Sequence, residues 1–252
     1  MKVRTFLACT MAVLALAACN KNKEQGTGTA ATNGTVTITQ ANPPPGGTWA
    51  DVVNATSSGY MMGNPKAKVK LVEIGSLSCP HCKKFDDEGV PPLIDKYVKT
   101  GQVSWEFRPY LIHGPVDMAA NLIVTCNGVN NFFPLARALY KDQAIWMAKV
   151  ESAPPDKINA IQNLPTNQMF VAMANLLGLQ DWAAARGVPQ AKSNQCLTDQ
   201  KMIDQQVQVT SDVGTQYPEF SGTPAFVING KMVGRDVASW DSLEPKLQAA
   251  LK

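Results

Sequence analysis

The sequence predicts an α/β fold, a small mixed sheet interrupted by an inserted all-helical domain, and three observations carry that reading. Val69, Leu71, Val72 and Ile74 form a nearly continuous apolar run ending at Gly75, the pattern of a central strand buried on both faces. Residues 115–213 show helical spacing and few strand signals. Strand character then returns at Ala225-Phe226-Val227-Ile228, just before the hairpin-forming pair Asn229-Gly230.

The elements follow in order. Trp49 to Val53 reads as a short first strand, with Gly63-Asn64-Pro65 as the turn before the next element. After the buried run, Cys79 or Pro80 to about Thr100 reads as one helix. Gln102 to Tyr110 reads as a second strand, in which Val103, Trp105 and Phe107 alternate. Strand, helix and strand in that order imply a parallel pair joined by a crossover. In the middle region Met118, Leu122 and Cys126 recur at fourfold spacing, as do Leu135 and Leu139, and Met169, Met173 and Leu176 continue the pattern. Pro154-Pro155, Pro165 and Pro189 divide this region into several helices. Its Met and Leu stripes read as core packing, not as a cofactor box. Lys231 to Gly234 supplies the hairpin's return strand, and Asp241 to Leu251 a final amphipathic helix. The sheet domain therefore comprises residues 49–114 and 214–252, with the insert between them.

The N-terminal part reads differently. Lys2 and Arg4 precede a short apolar stretch, Thr5 to Ala18, which suits a signal peptide better than a membrane anchor. Leu16-Ala17-Ala18-Cys19 looks like the lipobox of bacterial lipoproteins and predicts lipidation of Cys19; ordinary cleavage after Ala17 is the alternative. Loss of residues 1–18 removes Lys2 and Arg4 and lowers the formal charge from +3 to about +1. With no basic tract, nucleic-acid binding has no electrostatic support. Residues 19–48 lack aromatic residues until the fold begins and read as a tether, of roughly 30 Å end-to-end distance if flexible.

Cys79-Pro80-His81-Cys82 carries the chemistry. A cysteine at a helix start faces unpaired backbone N–H groups and the positive end of the helix dipole, and both favour thiolate. Pro80 suits the first helical position. Cys79 is then the attacking thiol and Cys82, about one turn in, the resolving one. Lowering the Cys79 pKa stabilises the reduced form and makes the disulfide a stronger oxidant. His81 can donate to the Cys79 sulfur or add positive charge; its alternative is an exposed polar residue. Lys83 and Lys84 read as solvated beside Asp86, Asp87 and Glu88. A zinc site would need a second half from Cys126, Cys196 or His113, which stand apart, so no metal or cofactor is expected. Cys126 and Cys196 read as a structural disulfide in an oxidising compartment, with two buried thiols as the alternative. His113 reads as a loop residue, or otherwise as a contact at the substrate rim.

Leu71 to Phe85, with Cys79-Pro80-His81-Cys82 at its centre, resembles the active-site segment of the DsbA-like thiol–disulfide oxidoreductases, of thioredoxin-like fold. Met62 to Ala67 resembles that family's lead-in, and Gly222-Thr223-Pro224-Ala225 its cis-proline loop. The resemblance spans roughly residues 50–252. It implies that Pro224 is the cis-proline beside the active-site cysteines and that Thr223 presents backbone to an extended substrate. It also implies that Glu73 is the partly buried acid that assists proton transfer at Cys82. The alternatives are a strand-end Glu73 reaching solvent and a trans Pro224. Some members of that family carry an extra cysteine pair in the helical domain.

The expected function is a dithiol oxidase that introduces disulfides into exported proteins by exchange through Cys79. Its implied partners are unfolded or partly folded exported chains with cysteines and a membrane redox partner. Its expected place is the periplasmic side of a bacterial envelope, anchored through Cys19, and its expected state is monomeric. Related dimeric isomerases carry an N-terminal dimerisation domain where this chain has a tether. A membrane-tethered reductase or isomerase, and a thioredoxin-fold binding module or holdase, are the competing readings.

Overall fold

The computed structural model describes Val36–Thr37 and residues 42–252. The expected signal peptide, the expected lipidation site Cys19 and most of the expected tether lie outside the described residues. A short strand, β1 (Val36–Thr37), falls within the span read as tether and pairs antiparallel with the next strand.

Trp49–Asp51 is a turn of 3-10 helix, not the strand expected there. The reason is a capping box. Thr48 Oγ1 accepts from Ala50 N, while Asp51 Oδ2 accepts from Thr48 N at 2.7 Å. Strand β2 (Val53–Thr56) follows and forms a hairpin with β3 (Tyr60–Met62). The expected central strand is β4 (Val69–Gly75), buried at every position but Lys70.

The single helix expected from Cys79 to Thr100 is three pieces: α1 (Pro80–Glu88), α2 (Val90–Leu93) and a π turn over Ile94–Val98. Pro91 and Pro92 have no N–H to donate to the preceding turn, so the hydrogen-bond ladder breaks at Gly89. Strand β5 (Val103–Pro109) then pairs parallel with β4.

The insert begins with α3 (Pro115–Thr125), buried at every position from Val116 to Thr125. Around it pack α4 (Phe132–Lys141), α5 (Gln143–Glu151), α6 (Pro155–Gln162), α7 (Thr166–Leu177), α8 (Leu179–Ala184) and α9 (Gln190–Leu197). Cys126, at the end of α3, is bonded to Cys196 in α9, with Cα atoms 5.7 Å apart. Closing a loop of 70 residues stabilises the fold by about 4 kcal/mol in the chain-entropy picture. The long α10 (Gln200–Gln216) leads back to the sheet through β6 (Ala225–Ile228), β7 (Lys231–Met232) and the final α11 (Trp240–Leu251).

The sheet order is β1-β2-β3-β5-β4-β6-β7. Asn229 and Gly230 both take positive φ, 49° and 81°, which a tight hairpin demands and which Asn and Gly tolerate best. One face of the sheet, with Leu71, Trp105, Phe107 and Phe226, packs on α1 and the insert; the other, with Val72, Ile74 and Val227, packs on Val213 and Tyr217 of the α10 region. The fold is a thioredoxin-like mixed sheet with a large helical insertion, as the sequence predicts. Among the described residues no helix is long and apolar enough to cross a membrane.

Candidate active site

Strand β4 delivers the chain to the buried turn Ser76–Cys79 at its carboxyl end, and Pro80 opens α1 immediately after it. Cys79 is the N-cap residue, with Pro80 at the first helical position. Both cysteines are free thiols, Cys79 with 5% of its surface exposed and Cys82 with none. Only Cys79 offers an edge to a partner.

Helix α1 starts because Pro80 is already set to helical φ. Its first N–H groups therefore point at the Cys79 sulfur, with no side chain capping them. The Cys79 pKa falls from an ordinary 9.0 to about 5. The largest cause is a hydrogen bond from the Cys82 thiol, working against burial. The Thr223 hydroxyl and the backbone N–H groups of Cys82 and His81 add to it. That hydroxyl has no partner of ordinary geometry and faces the sulfur instead, while the Cys79 thiol lies 3.3 Å from the Thr223 carbonyl oxygen, to which it can donate. Burial pushes Cys82 well above the ordinary thiol range, reinforced by its bond to Cys79; Ser76 N–H, 3.5 Å from its sulfur, pulls weakly the other way. The two thiols are thus held far apart in acidity.

The peptide bond between Thr223 and Pro224 is cis, and it brings Thr223 against Cys79 across a sequence distance of 144 residues. Glu73 lies on β4 with 1% exposure, more deeply buried than the partly buried acid implied by the resemblance. Trp105 Nε1 donates to its Oε2 at 3.1 Å. Burial first, and the negative charge of Asp86 second, hold the Glu73 carboxyl well above its ordinary range. The His81 ring is exposed, and the backbone N–H of His81 is among the groups that lower the Cys79 pKa. Lys83 and Lys84 pair along α1 with Asp87 and Glu88.

Three helices of the insert also reach the site, through residues that sequence reasoning did not single out. Asp117 of α3, fully buried, accepts from Ser76 Oγ at 2.8 Å, Ser78 N at 3.1 Å, Ser78 Oγ at 3.0 Å and His113 N at 2.8 Å. Tyr140 of α4 donates to Ser76 O at 3.0 Å. Gln143 of α5 donates to Leu77 O at 2.8 Å and to Cys79 O at 3.0 Å. His113 Nδ1 is 2.7 Å from Ser78 Oγ, so this loop residue belongs to the wall of the site. The one sequence signal for Asp117 is its isolation: a single acid in Val116-Asp117-Met118-Ala119-Ala120, a segment too apolar to be solvated. Gln143 and Tyr140 carry no comparable mark. Among the described residues no group of three or more His, Cys, Asp or Glu side chains is placed to hold a metal ion.

Strand, dithiol at a helix mouth and facing cis-proline together define a thioredoxin-fold dithiol protein. The thioredoxin family model matches residues 55–248. A protein-disulfide isomerase from Novosphingobium aromaticivorans has a similar crystal structure, with TM-score 0.72 and 31% identity over 76% of this chain and 96% of that one. Alpha-DsbA1 of Wolbachia pipientis shares the fold, with TM-score 0.57 and 21% identity over 76% and 89% of the two chains. A Rickettsia felis protein that bears a protein-disulfide oxidoreductase name is 28% identical over 76% of this chain and 60% of its own length. The chain thus spans about three fifths of the length of that relative. The chain belongs to the thioredoxin family, and a helical domain is inserted into its sheet domain.

Proposed function

We propose that this chain is a thiol–disulfide oxidoreductase working as a dithiol oxidase on exported proteins, with Cys79 as the sulfur that meets the substrate. The observation that carries this is the split between the two thiols, Cys79 brought down to about 5 and Cys82 pushed up. A substrate thiolate attacks Cys79 of the enzyme disulfide, and Cys82 leaves as thiolate and takes a proton. A second substrate thiolate then attacks the mixed disulfide at the substrate's sulfur. Cys79 leaves as a stable thiolate, and the substrate keeps the new disulfide. Two electrons pass to the enzyme pair, and a membrane redox partner takes them up in turn. Glu73, protonated and buried, is the proton donor suited to Cys82. Thr223 and Pro224 present the backbone edge along which an extended substrate would lie.

Linkage supports the oxidising direction. Stabilisation of the reduced form by the depressed Cys79 pKa is complete above the ordinary 9.0, shrinks as pH falls, and is gone below about 5. At pH 7 that leaves about two decades in the equilibrium constant, or about 60 mV towards the oxidising side. Equilibration of the protein with glutathione tests the assignment. The expected potential is well above that of thioredoxin, about −270 mV, and a value near thioredoxin's would replace the oxidase with a reductase.

The isomerase reading is favoured by one observation, the 31% identity with the Novosphingobium protein-disulfide isomerase. Faster recovery of a substrate with scrambled disulfides than of a reduced one would select it. Location on the periplasmic side of the envelope, anchorage through Cys19 and a monomeric state complete the proposal. Intact mass of membrane-extracted protein reports the lipid directly.

A further inference from the structure

The turn from Ser76 to Cys79 is irregular backbone, yet all four residues are buried, with Ser76 and Leu77 at 0% exposure. Buried irregular backbone normally leaves polar groups unpaired, so it is avoided unless something supplies partners. Here the insert supplies them. Asp117 takes the Ser76 and Ser78 hydroxyls and the Ser78 N–H. Tyr140 takes the Ser76 carbonyl, and Gln143 the carbonyls of Leu77 and Cys79. The three side chains come from three consecutive helices, α3, α4 and α5, and each is at least nine-tenths buried.

Packing alone does not call for this set. A fully buried carboxylate that has no ion pair among the described residues is a costly way to fill space. What the set does fix is direction. Ser76 N–H is aimed at the Cys82 sulfur, and Cys79 is held in extended N-cap geometry, φ −78° and ψ 123°. That geometry turns its sulfur towards Thr223 and the free N–H groups of α1.

We infer that Asp117, Tyr140 and Gln143 form a clamp through which the inserted helices set the reactivity of Cys79. They are positioning residues: among the described residues none of them hydrogen-bonds a reacting sulfur, and each acts through the Ser76–Cys79 turn. The insert is therefore a tuning device for the dithiol as well as a cover beside it. This rests on the reading of Cys79 as the attacking sulfur.

The test uses the full chain with Asp117→Ala, Asp117→Asn, Tyr140→Phe and Gln143→Met. The control is Met173→Ala, a fully buried α7 position whose side chain has no hydrogen bond to offer the turn. Two quantities are read: the pH midpoint of Cys79 alkylation and the equilibrium constant with glutathione. Asp117→Ala and Gln143→Met are expected to raise the midpoint and to move the equilibrium constant about tenfold towards the enzyme disulfide, about 30 mV. Asp117→Asn, which keeps an acceptor for Ser76 Oγ and Ser78 N–H, should recover part of the loss. Met173→Ala should lower the melting temperature and leave both readings unchanged.

Clamp variants that melt earlier but keep the wild-type midpoint and equilibrium constant would overturn the inference. If Asp117→Ala does not fold, Tyr140→Phe decides, since it removes a single oxygen. A wild-type protein that fails to exchange with glutathione would remove the proposed function, while the alkylation midpoints would still judge the clamp.

Discussion

Glu73 and Glu106 occupy neighbouring strands, β4 and β5, and both are buried, at 1% and 6% exposure. They face opposite sides of the sheet. Glu106 looks towards α10 and accepts from both Nε and Nη2 of Arg108 at 3.2 and 3.1 Å, while Arg108 Nη1 donates to Gln216. Glu73 looks towards the dithiol and has an indole N–H where Glu106 has a guanidinium. Burial raises both carboxyls. The charge of Arg108 opposes that rise at Glu106, whereas the charge of Asp86 adds to it at Glu73. One strand pair thus holds two acids in opposite settings: a paired charge that ties the sheet to α10, and an acid near Cys82 with no cation beside it among the described residues.

Breaking the paired side should have the larger effect. Arg108→Met leaves Glu106 buried without its cation and should lower unfolding free energy by about 3–5 kcal/mol, measured by urea titration at pH 7. The loss should ease at acid pH, where Glu106 protonates.

On the unpaired side the sign reverses. The folded-state pKa of Glu73 is raised above its ordinary 4.5. Its burial is therefore tolerated below that value and becomes a liability as pH rises towards the raised one. Glu73→Gln should then stabilise the protein at pH 8 by about 1–3 kcal/mol, with no gain at pH 4, while slowing the resolving step at Cys82. Stability that drops at pH 8 would mean that Glu73 is a paired charge like Glu106.

The smallest effect belongs to the indole between them. Trp105→Phe removes the N–H that favours the ionised Glu73. It should push the Glu73 pKa higher still and cost about 1 kcal/mol, read by following the carboxyl in a pH titration. A fall in that pKa would contradict the hydrogen bond's role.

The sequence exposed the parts of this comparison unevenly. Glu73 stands out because an acid inside Leu71-Val72-Glu73-Ile74 has no cheap explanation, and the strand, dithiol and Asn229-Gly230 hairpin are readable from pattern alone. Glu106 and Arg108 are hidden, because alternation along β5 makes Val103, Trp105 and Phe107 a buried face and assigns the residues between them to solvent. Helix α10 covers that second face, and no local pattern reports cover supplied from a hundred residues away. The clamp residues are hidden for the same reason: a Gln or Tyr that serves a distant carbonyl resembles any other. Two misreadings are local and avoidable. Thr48-Trp49-Ala50-Asp51 is a capping signature, and Pro91-Pro92 interrupts any helix drawn through it.

The bond between Cys126 and Cys196 bears on how the molecule is born. On a chain made from its N-terminus, Cys79, Cys82 and Cys126 all emerge before Cys196, the proper partner of Cys126, which follows 70 residues later. During that interval three thiols of the folded part wait on an unfinished chain, two of them separated by only two residues. Early closure of Cys79 with Cys82 leaves Cys126 to wait for its partner. A mispairing of Cys126 with either would tie α3 to the helix mouth and block the clamp from closing over the turn. The newborn protein is thus its own first test case in choosing among cysteines.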